Sequence, residues 1–163
     1  MIELGHQPFS NTEFDTPFLF QRRHLSLPED LRPSWRIALL VLLMNGCCRG
    51  GRSSRARLHV LSWSVRNIES FRNLLAAATG ELNPRSLVVR VDPFLDRAMD
   101  FAFGEGLIER LGGKGLKLSS AGKNYAAAIG EASDIFVLEK SFIHVIGHKV
   151  TEDLVAKMFG WKG

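Results

Sequence analysis

The stretch Gly106–Tyr125, which reads GLIERLGGKGLKLSSAGKNY, decides the fold predicted for this chain. Two short apolar segments flank the glycine-rich tetrapeptide Gly112–Gly115, a pattern typical of a β-hairpin with a tight turn. Ser119 or Ser120 can then cap a helix over about 120–131, because a serine hydroxyl accepts a hydrogen bond from a first-turn N–H. The stretch therefore predicts two strands that lead directly into a helix.

The chain upstream of the hairpin predicts four helices and one strand. Proline, or a short polar side chain, stands where each helix begins and either fits the first turn or caps it. The predicted helices cover about 32–45, 54–66, 68–79 and 93–103. A basic loop is expected over 49–52, and a β-branched strand over 86–91. The core-facing residues expected in the helix 93–103 are Phe94, Leu95, Ala98, Phe101 and Ala102.

Beyond residue 131 the sequence predicts two more helices, over about 134–146 and from Thr151 to Phe159. The helix 134–146 is apolar on more than one face, and the stripe expected to be buried is Ile135, Leu138, Phe142 and Val145. Such an apolar surplus indicates an interface with another chain. A thick core in a domain with many helices explains the same residues.

Length and composition indicate one globular domain with an extra segment at each end. The chain has 163 residues, of which 45% are apolar and 23% charged. We expect an N-terminal arm over 1–30, a central domain over 31–131 and a helical extension over 132–163. The arm carries phenylalanines without a helical period. The residues predicted to form a partner interface are Phe14, Phe18 and Phe20 of the arm, with Phe136 and Phe142 of the extension.

Positive charge is concentrated in one part of the chain. Residues 32–72 contain eight arginines and one acid, a net charge of +7, whereas the whole chain has a net charge of +4. A clustered basic segment is typical of a surface that binds nucleic acid or an acidic protein. A solvated arginine-rich face is the alternative. The residues predicted to bind are Arg49, Arg52, Arg55 and Arg57, with Lys114 and Lys117 of the hairpin.

The order helix, strand, helix, hairpin, helix, together with Gly106–Tyr125, resembles a winged helix-turn-helix domain. The resemblance implies a mostly α fold with a small β-hairpin wing (α+β), in which the helix before the wing enters the DNA major groove. In this chain that helix contains Asp96, Arg97 and Asp100, a net charge of −1. A groove-reading helix needs hydrogen-bond donors and cations. We therefore expect contact with the DNA backbone or with a protein, rather than base reading.

The segment from Arg32 to Trp63 is similar to the small middle-component proteins of bacterial ABC-three-component systems. This resemblance implies a non-enzymatic adaptor subunit of an anti-phage or DNA-linked complex. Such a subunit binds an ATPase of the ABC or SMC/Rad50 kind and helps it engage double-stranded DNA. The alternative is a homodimeric winged-helix transcription regulator that binds a specific operator.

Enzyme chemistry finds little support in the sequence. No spacing of the P-loop, zinc-protease or nucleophile-elbow type is present, so we expect no catalytic residue, no metal and no cofactor. The two cysteines, Cys47 and Cys48, are adjacent, which excludes a disulfide scaffold. The longest apolar run, Ile37–Met44, is too short to span a bilayer. We expect a cytoplasmic protein that binds another protein, and the sequence leaves open whether it also forms a homodimer.

Overall fold

The computed structural model describes residue 28 and the ranges 32–113 and 115–161. These residues form a mostly helical α+β fold with a three-stranded antiparallel sheet, which confirms the predicted fold class at this level. The helices are α1 (Pro33–Cys47), α2 (Arg55–Ser64), α3 (Ile68–Thr79), α4 (Pro93–Gly104), α5 (Ser120–Glu131), α6 (Val137–Ile146) and α7 (Glu152–Met158). The strands are β1 (Arg52–Ser54), β2 (Ile108–Arg110) and β3 (Gly115–Leu118). The predicted site residues Phe14, Phe18, Phe20 and Lys114 lie outside the described residues.

Helix α1 forms the centre of the core. Its residues from Ala38 to Met44 are all buried, because the helix has apolar side chains all round and other elements cover every face. It packs against α2, α4, α5 and α6. The remaining helices therefore take their positions from this one element.

The predicted helix starts carry the expected caps. The Ser54 hydroxyl accepts a hydrogen bond from the Arg57 N–H, and the Asn67 side chain accepts one from the Ser70 N–H. Ser119 does the same for Gly122, as expected of the helix that closes the hairpin. These bonds satisfy donors that a helix leaves unpaired in its first turn. Local sequence alone therefore fixes where these helices begin.

The sheet has the strand order β1-β3-β2, and both pairings are antiparallel. Arg52 was expected to belong to a loop, and Ser53 and Ser54 to a helix cap. Ser54 does cap α2, but all three residues also form a strand, which was not predicted. Ser53 pairs with Leu116, and both side chains are buried. The partner of β1 comes about sixty residues later in the chain, so only the folded structure shows that these three residues form a strand.

The strand predicted over 86–91 is not formed. Residues Pro84–Ser86 make a 3-10 turn, and the chain then runs without regular structure to α4. Within the described residues no strand lies beside this segment. The prediction fails because β-branched composition favours an extended backbone, whereas a strand also needs a neighbour with which to pair.

Two predicted helix faces are also corrected. In α4, Phe94 and Phe101 are 51% and 54% exposed, whereas Leu95, Ala98 and Ala102 are buried as expected. The buried stripe is completed by Met99, so the two phenylalanines lie off the face that meets α1.

Helix α6 begins three residues later than predicted and is turned relative to the expected stripe. Its side chains at Leu138 and Val145 are exposed, as is Ile135 before the helix. Its inward face consists of Phe142, Ile143 and Ile146. The apolar residues on several faces left the orientation undetermined by sequence.

Candidate partner and nucleic-acid interface

Three of the predicted basic residues lie on or beside the outer face of the sheet. Arg52 of β1 lies directly opposite Lys117 of β3, and Lys117 lies opposite Glu109 of β2. Arg49 is exposed in the 3-10 turn that leads into β1. None of the three cations forms an ion pair with a residue that the structure describes. We call Arg49, Arg52 and Lys117 the basic sheet face.

Within the described residues, Arg55, unlike the three residues of the basic sheet face, forms ion pairs with acids of the same chain. Its guanidinium lies 3.5 Å from an Asp96 oxygen and 3.4 Å from an Asp100 oxygen, and it joins the start of α2 to α4. The two acids that give α4 its negative charge therefore have a cation next to them. The repulsion expected between this helix and a phosphate backbone is correspondingly reduced.

Arg57 is a structural residue. It is 7% exposed, and its Nη2 donates a hydrogen bond of 2.6 Å to the Cys47 carbonyl. Its Nη1 lies 3.9 Å from Glu152, whose carboxylate also accepts hydrogen bonds from the N–H and hydroxyl of Ser54. Because its charge is buried and engaged, Arg57 is removed from the predicted phosphate-binding set.

A buried carboxylate, Asp92, neutralises two more arginines of the basic segment. Its Oδ2 accepts hydrogen bonds from Arg36 of α1 and from Arg66. Burial by itself raises the pKa of Asp92. The hydrogen bond from the Phe94 N–H and the two guanidinium groups outweigh burial and hold this pKa below its usual value. The carboxylate is therefore ionised and cross-links α1, the end of α2 and the start of α4.

His59 extends this network to Asp96 in the first turn of α4. Its ring is buried, its Nδ1 accepts the Asp92 N–H at 3.3 Å, and its Nε2 lies 3.2 Å from Asp96. Together with the buried Arg36 and Arg57 and the exposed Arg55 and Arg66, this histidine shows that much of the basic segment is engaged by acids of the same chain. The acids that neutralise it come from residues 92–100 and from Glu152, far along the chain.

The structure reveals a surface that the sequence prediction missed, on the solvent side of α4. Phe94, Phe101 and Phe103 are each about half exposed, and we call them the aromatic face. Phe94 and Phe101, seven residues apart, lie on one flank of the exposed side of the helix, and Phe103 lies on the other flank. The Arg110 guanidinium lies 4.9 Å from the centroid of the Phe103 ring, within cation–π distance. A signal was present in the sequence, because Leu95, Ala98, Met99 and Ala102 already complete one buried stripe at helical spacing.

The two predicted interface phenylalanines of the C-terminal extension contact other rings of this chain. The ring of Phe136 lies 5.2 Å from that of Trp35, and Phe142 stacks on Phe71 at 4.4 Å between centroids. Both are half-buried against the core. The aliphatic side chains of Val137, Leu138 and Val145 are the exposed apolar groups of α6. A partner interface on this helix stays a prediction, and these three residues are its accessible part.

Residues 32–113 and 115–161 offer no metal site and no reactive thiol at Cys47. No group of three or more His, Cys, Asp or Glu side chains there could hold a metal ion. Burial, with Cys48 beside it, raises the pKa of the Cys47 thiol to about 12, so this thiol carries no nucleophilic thiolate near neutral pH. No helix in those ranges is long and apolar enough to cross a membrane. In comparisons with known proteins, no family model, no curated protein and no solved structure matches this chain.

Proposed function

We propose that this chain is a non-enzymatic winged-helix adaptor that binds a protein partner through the aromatic face of α4. The observation that carries the proposal is the exposure of Phe94, Phe101 and Phe103 on the helix that precedes the hairpin. Exposed aromatic rings on one helix mark a surface where proteins associate, because aromatic residues are enriched in protein interfaces.

The order of the elements supports the winged-helix part of the proposal. Strand β1 follows the first helix and pairs with β3, so that it extends the β2–β3 hairpin into one small sheet. Helix α4 leads into β2, and α5 follows β3 after a serine cap. In this assignment α4 takes the place of the groove-reading helix, and α3 is an additional helix between α2 and α4.

The chemistry of α4 favours a protein over DNA bases as its ligand. A helix that reads bases presents guanidinium, amide or hydroxyl groups to the groove. The exposed charges of α4 are Arg97 and the acids Asp96 and Asp100, both of which contact Arg55. Aromatic rings occupy the rest of its solvent side. This composition argues against the alternative of an operator-reading transcription regulator.

The identity of the partner is proposed from the resemblance to middle-component proteins. We propose an ATPase of the ABC or SMC/Rad50 kind, with the basic sheet face free to contact the phosphates of duplex DNA that the ATPase holds. Arg52 and Lys117 lie side by side, as two phosphate-binding cations require. The membership of an anti-phage complex belongs to the same proposal.

Affinity purification of the chain from its source cells, with mass spectrometry of the retained proteins, tests the proposal by asking whether an ATPase of the ABC or SMC/Rad50 kind is retained. The full-length chain should retain that ATPase on an affinity column. The variant Phe101→Ala/Phe103→Ala should lose at least about tenfold in affinity, because removing two anchor rings costs roughly 1 kcal/mol or more each. Binding is measured by calorimetry on the purified pair, with circular dichroism to verify folding.

The matched control removes apolar groups from another part of the surface. Ile68 of α3 and Tyr125 of α5 are also exposed, so Ile68→Ala/Tyr125→Ala should leave the affinity unchanged. Equal loss in both variants, or a wild-type chain that does not bind the ATPase, would contradict the proposed function.

A further inference from the structure

Residues 87–91, with the sequence LVVRV, form an extended segment that has no strand beside it, and we call it the open strand. Leu87 and Asp92 at its ends have extended backbone angles, with φ and ψ of −81° and 129°, and of −109° and 108°. No residue between them has a positive φ. The side chains of residues 87–90 alternate as in a strand, since Leu87 and Val89 pack against the core whereas Val88 and Arg90 are exposed. Val91 is exposed as well.

The backbone of the open strand is fixed at both ends and unpaired between them. The Leu87 N–H donates to the Pro84 carbonyl, and the Asp92 N–H donates to Nδ1 of His59. Within the described residues, no N–H or C=O of residues 88–91 forms a hydrogen bond. An anchored, extended and unpaired backbone of this kind is a template for strand addition.

Space for an added strand lies alongside it. A groove of about 590 Å³ separates the open strand from the start of α3 and is lined by Trp63, Asn67, Glu69, Leu87, Val88 and Arg90. Val88 is 80% exposed and Val91 58% exposed. β-branched side chains left in water beside an open backbone are what a further strand would cover.

We propose that the open strand pairs in antiparallel fashion with the open strand of a second copy of this chain, forming a two-fold symmetric dimer. Pairing centred on Val89 places Val89 opposite its own copy, Leu87 opposite Val91, and Val88 opposite Arg90 of the second copy. No like charges then face each other directly, and β-branched residues form the cross-strand pairs. Such an interface is self-complementary, as a two-fold dimer requires.

Electrostatics favours this occupant further. Arg90 forms no ion pair with a described residue, and Glu69 lines the same groove without one. The pairing places Arg90 of the second copy opposite Val88, in the groove that Glu69 also lines. The two-fold axis repeats this Arg90–Glu69 approach in the other direction. The dimer does not depend on the proposed function, because it uses neither the aromatic face residues Phe101 and Phe103 nor the basic sheet face.

Charge changes at Val88 test the register, since this side chain is exposed and its replacement removes no core contact. Val88→Arg places arginine opposite Arg90 twice in each dimer, whereas Val88→Glu places glutamate there and removes about the same apolar area. We expect the dimer dissociation constant of Val88→Arg to be about tenfold or more above that of Val88→Glu. The reason is that the Val88→Arg dimer contains two pairs of like charges, whereas the Val88→Glu dimer contains two pairs of opposite charges. Sedimentation equilibrium of the full chain over a range of concentrations measures both.

A double variant makes the test specific to this pairing. Val88→Arg/Arg90→Glu restores opposite charges across the dimer and should regain the affinity that Val88→Arg loses. A chain that stays monomeric at all concentrations overturns the proposal. A dimer that Val88→Arg and Val88→Glu weaken equally, or that the double variant does not restore, overturns the strand pairing.

Discussion

Asp92 has three structural roles in this protein. Its side chain caps α4 through the Phe94 N–H, and it pairs with Arg36 and Arg66. Arg36 is itself buried and lies 5.2 Å from the ring centroid of Phe94. The carboxylate thus compensates a charge that the core could not otherwise contain, because an unpaired buried ion carries a large desolvation penalty.

Asp92→Asn should lower the free energy of unfolding by about 3 kcal/mol or more, as found when one member of a buried ion pair is removed. Asparagine can still cap the helix, so the loss of unfolding free energy reports the contribution of the Asp92 charge alone. Urea denaturation measures it. Asp153→Asn, which breaks the exposed pair with Lys157, is the control and should change stability little. Equal effects of the two substitutions would contradict the role given to Asp92.

The same charge predicts a pH dependence. The pKa of Asp92 is lower in the folded chain than the ordinary aspartate value of 3.8, so its stabilisation is complete above that value. It is lost as the pH falls through the lower pKa of the folded state. The difference in unfolding free energy between the wild type and Asp92→Asn should therefore be constant near neutral pH and shrink below about pH 4. A difference that grows in acid would show the opposite sign of shift.

At the scale of elements, Gly122 sets how closely α5 approaches the hairpin. A Cβ at this position would lie 2.0 Å from the Leu107 carbonyl oxygen and 3.0 Å from Cδ2 of Leu118. The same carbonyl accepts a hydrogen bond from the Ser119 N–H, so it cannot move without loss. The glycine in the pattern LKLSSAG is therefore required by the packing of strand against helix.

Gly122→Ala should destabilise the fold by about 2 kcal/mol or more, because the added methyl group meets backbone rather than a flexible side chain. Gly130 lies in the same helix and has nothing within 4 Å of a built Cβ. Gly130→Ala should therefore raise stability by about 0.5 kcal/mol through its helix propensity. Thermal unfolding of the two variants measures the contrast, and a shift of the same sign in both would contradict the packing argument.

At the scale of the whole molecule, the basic segment is divided between arginines that pair with acids in the described part of the same chain and arginines that do not. Arg36, Arg55, Arg57 and Arg66 contact acids from later parts of the chain. Arg49 and Arg52 have no such partner within the described residues. Any contact with a nucleic-acid backbone therefore depends on a smaller set of residues than the charge count predicts.

Duplex binding should respond to this smaller set. Removing two phosphate contacts with Arg49→Ala/Arg52→Ala should reduce the slope of log affinity against log salt concentration by about 2. Arg72 and Arg85 are exposed arginines outside the sheet, so Arg72→Ala/Arg85→Ala is the control and should preserve the slope. Fluorescence anisotropy with a random-sequence duplex measures both. A slope that changes equally in both variants would contradict a contact specific to the sheet.

The sequence predicted most of the elements for reasons that are local. A capping side chain bonds to an N–H two or three residues away, and the helical stripe of α4 repeats within a few turns. The hairpin is likewise specified by neighbouring residues. Expectations that failed concern residues whose neighbours are distant in sequence, namely β1, the open strand and the two exposed phenylalanines.

The amino-acid sequence by itself determined the mostly helical α+β class, the positions of the helix starts and the glycine-rich hairpin, because each depends on contacts within a few residues. Only the tertiary structure decided which arginines pair with acids of the same chain, since Asp92, Asp96 and Glu152 reach them from parts of the chain up to about a hundred residues away. It also decided which apolar side chains remain at the surface. A helix with more apolar residues than one stripe can bury has several possible orientations, and only packing against α1 selects one.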